Sequence, residues 1–91
     1  MNVVQALQFD PTDPIEIART HLWRKNPKDA IPLLEKALKK NHRTGEAHHL
    51  LGCILIEMGD GKGAVKHLQM ALDVNPDNLF ARLDLVRASR L

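Results

Sequence analysis

His49 and Cys53 stand four residues apart, one turn if the segment is helical. That spacing would let an imidazole and a thiolate share a metal ion, or let the histidine activate the thiol as a nucleophile. No third group is indicated beside them, because His21, His42, His48 and His67 fall on other helices or faces. Packed or solvated histidines are therefore expected, with no metal, no cofactor and no catalytic residue assigned. The chain also lacks paired carboxylates, a glycine-rich phosphate loop and a nucleophile with an oriented base, so it is not expected to be an enzyme.

Cys53 is the single cysteine, which excludes an internal disulfide and a Cys-based zinc knuckle and fits a reducing, cytoplasmic setting. The first residues, Met1 to Leu7, lack the positive start and long apolar stretch of a signal peptide, and the longest apolar run, Leu50 to Ile56, is too short to span a bilayer. Net charge is +2 and unevenly spread, with +6 concentrated in residues 19–43. That segment carries Arg24, Lys25, Lys28, Lys36, Lys39, Lys40 and Arg43 with little aromatic interleaving. A solvated helical surface is the better account of it, and nucleic-acid binding is not expected.

The elements that must position these residues are helices. Of 91 residues 44% are hydrophobic and only 3% aromatic, with no Tyr, a balance that disfavours all-β architectures. Ala30-Ile31-x-x-Leu34-x-x-Ala37-Leu38 recurs 34 residues later as Ala64-Val65-x-x-Leu68-x-x-Ala71-Leu72. In each copy the apolar positions form one stripe of an α-helix, which leaves Lys62, Lys66 and Asp73 on the other side. Before the second copy, Glu46 to Met58 reads as a helix ended by Gly59-Asp60-Gly61, with Asp60 placed to cap the next. In the first, Asn26-Pro27 supplies a cap and a first-turn proline. A further helix pattern follows Asn75-Pro76-Asp77.

On these residues the chain resembles the tetratricopeptide-repeat family. Gly45 to Asn78 matches one whole repeat through Ala47, Leu51-Gly52, Leu55, Gly59-Asp60, Ala64, Leu68, Ala71-Leu72 and Pro76. Residues 11–44 resemble a divergent copy, and Leu79 to Leu91 a capping helix. The resemblance implies a single all-α domain of about five helices in antiparallel hairpins, stacked as a short solenoid. Gly52 and Ala64 are small so that two helices can approach closely. The first copy departs from the pattern: Lys25 replaces the turn glycine, His42 the closing proline, and Pro32 lies where it should bend a helix locally unless it falls in the first turn. Val86 occupies the position that Gly52 and Ala18 hold, as expected where no helix packs close. Ala6 to Pro11 echoes Ala71 to Pro76 three residues out of register, either by chance or as a short N-terminal helix or arm.

In the resembled family the first helix of each hairpin lines a concave groove that takes a peptide. Carried over, the groove comprises Ile15, Arg19, Leu22 and Trp23, then His49, Cys53 and Ile56, then Leu83 and Arg87. Trp23 reads either as a contact residue or as a plug for the first hairpin, and Arg19 and Arg87 either as partners for acidic groups or as solvated cations. The Lys/Asn/Arg clamp by which one subgroup holds a terminal carboxylate is absent, since its positions hold Ile15, Arg19, Leu50, Phe80 and Asp84. The implied role is an adaptor that binds an apolar or acidic segment of a protein partner. The alternative is a homo-oligomeric scaffold, because two repeats are fewer than a stable stack usually needs.

Overall fold

The computed structural model describes residues 10–91; the echo of the repeat within residues 1–9 lies outside them. Five helices follow in order: α1 (Pro14–Trp23), α2 (Pro27–Lys39), α3 (Thr44–Glu57), α4 (Gly61–Val74) and α5 (Leu79–Ser89). Among the described residues each helix packs on the next, and α3 also touches α1 and α5. None of these helices is long and apolar enough to cross a membrane.

The helix starts follow from local chemistry. Asp13 accepts a hydrogen bond from the Ile15 N–H at 2.8 Å, Asp60 from Gly63 at 2.9 Å, and Asn78 from Ala81 at 3.1 Å. Each satisfies one of the backbone donors that a helix start leaves unpaired. Asn26 precedes α2 without such a bond, so there the first-turn Pro27 supplies the start. α2 and α4 begin 34 residues apart, as do Ala30, Leu34, Ala37 and Ala64, Leu68, Ala71, all of them buried. α1 starts later than that spacing would place it. Pro14 disfavours a helical residue before it, and Asp10 instead turns the chain by accepting from the Thr12 N–H and hydroxyl.

The departures in the first copy are accommodated by backbone rather than by sequence type. Lys25 adopts φ 62°, the left-handed conformation that Gly59 takes at φ 81° after α3. Asn41 and Arg43, with φ 53° and 48°, turn the chain around His42 where proline was expected. Pro32 lies beyond the first turn, yet α2 runs unbroken past it. It removes one hydrogen bond, that to the Lys28 carbonyl, on an exposed side of the helix.

Two apolar clusters form the core. Ile15, Ala18, Ala30, Leu34, Ala37, Ala47, Leu51 and Ile54 join α1, α2 and α3, while Ile56, Ala64, Leu68, Ala71, Ala81 and Ala88 join the end of α3 to α4 and α5. The central helix contributes to both, which is why Leu50 to Ile56 is apolar all round. α3 and α4 meet at Gly52, where a Cβ would lie 2.6 Å from Leu68 Cγ. Gly52→Ala should therefore overpack the interface. The clash costs about 1–3 kcal/mol, against about 0.5–1 kcal/mol gained in helix propensity. Urea unfolding should show a net loss of up to about 2.5 kcal/mol, and a variant more stable than the parent would contradict this packing.

Candidate functional site

The residues expected to line a groove divide into buried, paired and free. Ile15 is fully buried, because its place just after the Asp13 cap turns it into the first core, and Ile56 is buried against α4 and α5. Neither is available to a ligand, which corrects both expectations. Leu22 is half-buried against the first core. Trp23 is 88% exposed, so it does not plug the hairpin. Leu83 is likewise exposed. Leu22, Lys25, Pro27, Cys53, Ile54 and Glu57 line an apolar recess of about 530 Å³ between the end of α1, the start of α2 and the second half of α3.

Arg19 and Arg87 are paired within the chain rather than bare. Arg19 Nη2 donates to Glu46 Oε2 at 2.7 Å, and Arg87 Nη1 to Asp84 Oδ1 at 3.0 Å. Both guanidinium groups remain more than half or nearly half exposed, where such pairs contribute little to stability.

Asp84 is the group that sequence spacing missed. From α5 it reaches the two residues on α3: His49 Nε2 lies 2.9 Å from Asp84 Oδ2, and the Cys53 thiol donates to the same oxygen at 3.3 Å. Burial pushes the Asp84 carboxyl up, but the hydrogen bonds of His49, Cys53 and Arg87 outweigh it and hold the group below its usual range. Burial, reinforced by the Asp84 charge, raises the Cys53 thiol to about 12. The thiol is thus protonated at neutral pH and is not an activated nucleophile. Asp84 lies 31 residues beyond Cys53, so only the docking of α5 on α3 brings them together.

A second polar cluster ties α1 to α3. Arg43 spans Asp13 Oδ2 at 2.9 Å and Glu16 Oε2 at 2.8 Å with one nitrogen, and grips both oxygens of Glu46 with the others. His42 Nε2 lies 3.0 Å from Asp13 Oδ2. Burial raises the Asp13 carboxyl, yet the hydrogen bonds of His42, the Ile15 N–H and Arg43 bring it down to about 2. Arg43, a cation of the basic segment, is therefore partly buried among carboxylates rather than free on the surface. His42 and Arg43 close the turn between α2 and α3 by charge, at the position where the resemblance led proline to be expected.

No protein-family model, curated protein or solved structure matches the chain.

His48 on α3 and His67 on α4 face each other with Nδ1 atoms 3.0 Å apart, so one ring donates to the other only while at least one is neutral. Burial, and for His48 the charge of its neighbour, holds both below the ordinary histidine value, with Glu35 partly opposing the effect on His67. A depressed folded-state value means that the unfolded chain binds more protons, so this contribution is present above about pH 6.5 and is lost below it. The urea midpoint should fall between about pH 7.5 and 5.5. The His48→Gln/His67→Gln variant should fall less, a comparison that separates the pair from His42 and His49, which face carboxylates. Equal slopes in the two proteins would count against the pair.

Proposed function

We propose that the chain is a protein-binding module of the tetratricopeptide-repeat kind, which takes an apolar anchor of a partner peptide in the recess between the end of α1, the start of α2 and the second half of α3. The observation that carries the proposal is the recess of about 530 Å³ whose partly exposed walls include Leu22 and Cys53, with an 88% exposed tryptophan next in sequence to Leu22. A concave apolar site with an unburied aromatic residue one position from its wall suits binding in which a few residues dominate. Lys25 and Glu57 line the same recess and would fix the orientation of a polar or charged flank. The pairing of Arg19 and Arg87 with Glu46 and Asp84 shifts the weight from acidic recognition to the apolar anchor. The burial of Ile54 and the hydrogen bonds of Cys53 and Asp84 fix the walls, so the site needs little ordering when a peptide arrives.

Peptides selected from a displayed library against the chain should shift Trp23 emission. Trp23→Ala should weaken them by more than about tenfold, or about 1.4 kcal/mol. Binding that is indifferent to Trp23→Ala would overturn the assignment of the face.

Self-association is a second role, favoured by one feature of α5. Leu79, Leu83 and Val86 recur at spacings of four and three on its exposed side, with Phe80 beside them, while Ala81, Leu85 and Ala88 face α4 and the end of α3. Leu83 is 63% and Phe80 74% exposed, an apolar stripe suited to the same stripe of a second copy across a two-fold axis. Sedimentation equilibrium should then show a concentration-dependent dimer that Leu83→Glu dissociates. A monomer at all concentrations would exclude this role.

A further inference from the structure

We propose that His49, Cys53 and Asp84 bind one thiophilic divalent cation of the zinc class, bridging α3 and α5, a role that shares Cys53 with the recess but does not rest on the recess taking a peptide. The three donor atoms lie within 4.8 Å of one another and come from three ligand types that together favour zinc-like ions over magnesium or calcium. His49 and Cys53 sit one helical turn apart on α3, the spacing with which a helix presents two ligands to one ion, and Asp84 supplies the third from the facing helix. A tetrahedral shell with bonds of about 2.0–2.3 Å separates its donors by roughly 3.4–3.6 Å. The separations from Asp84 Oδ2 are 2.9 Å to His49 and 3.3 Å to Cys53, and all three donors fall within 4.8 Å, so an ion enters by parting the Asp84 oxygen from the other two by about half an ångström or less and drawing the His49 and Cys53 donors together.

The surroundings suit an occupied site in two respects. Arg87 holds Asp84 Oδ1, which leaves Oδ2 as the oxygen facing His49 and Cys53 and fixes the carboxylate plane. The side chains of His49 and Asp84 are 19% and 15% exposed, shielded enough to be held in place and open enough for an ion to reach. On binding, the thiol gives up its proton to solvent and the thiolate becomes a ligand, while the imidazole offers Nε2 and carries its proton on Nδ1. Three protein ligands leave a fourth position for water or for a group of a partner.

Asn78 limits the affinity. Its Oδ1 is committed to capping α5 through the Ala81 N–H, so its amide nitrogen faces His49 Nδ1 at 3.5 Å. That nitrogen cannot accept the proton that Nδ1 carries once Nε2 is a ligand. Asp at this position would cap the helix equally well and accept that proton, so Asn78→Asp should tighten ion binding by about tenfold or more.

The test is titration of the reduced 91-residue chain with Co(II). One equivalent should produce a thiolate-to-cobalt charge-transfer band and tetrahedral d–d absorption, both removed by Zn(II). Cys53→Ser should abolish the charge-transfer band. His49→Gln and Asp84→Asn should each weaken binding by more than about tenfold with helical circular dichroism retained, and His67→Gln should leave it unchanged. Absence of the band, or a band whose affinity is the same in His49→Gln and Asp84→Asn, would overturn the proposal. Should those two variants fail to fold, Asn78→Asp decides, and binding no tighter than in the parent would count against the site.

Discussion

The contact between Gly52 and Leu68 sets the distance between α3 and α4, and the rest of the molecule is arranged around it. With no side chain at position 52, the Leu68 side chain fills the space that a Cβ would need. That close approach buries Ala64 and Ala71 from the α4 side and leaves the remaining surface of α3 for other neighbours. One helix can then take part in two apolar clusters, with Ile54 turned to one and Ile56 to the other. A bulkier residue at position 52 would force the helices apart and separate the two clusters that give this small domain its core.

Polar groups join the helices where the alanines and leucines do not. The Arg43 cluster fastens α1 to α3, and the Asp84 cluster fastens α3 to α5. No polar or charged residue is fully buried among those described, so both clusters sit at the margins of the core with partial solvation. Their role is to fix how neighbouring helices are placed more than to add net stability, since partly exposed ion pairs are worth little on average. The recess beside Leu22 and Cys53 inherits its shape from that placement.

The 34-residue spacing made the helices legible, because a stripe of alanine and leucine that recurs in register has few physical outcomes other than two similar amphipathic helices. The buried triplets of α2 and α4 follow it residue for residue. What the spacing did not convey were relations between helices. Ile15 and Ile56 were expected on a binding face, yet the first is drawn into the core by the cap just before it and the second by α5 docking alongside. Asp84 meets His49 and Cys53 across such a docking, and Arg19 meets Glu46 in the same way. The left-handed Lys25 was hidden for another reason: its side chain disfavours that conformation, and only the turn between α1 and α2 imposes it. The pairing of that lysine position with Gly59, 34 residues on, was nevertheless visible as a departure from pattern.

The proposed binding site lies between the end of α1, the start of α2 and the second half of α3. Mapping of amide chemical-shift changes in the isotopically labelled chain, on addition of a selected peptide, tests this most directly. The changes should centre on Leu22 to Lys25 and Cys53 to Glu57 and extend toward Leu83. Changes centred on Pro32, Glu35 and Lys36 of α2, or on Lys62 and Lys66 of α4, would contradict it.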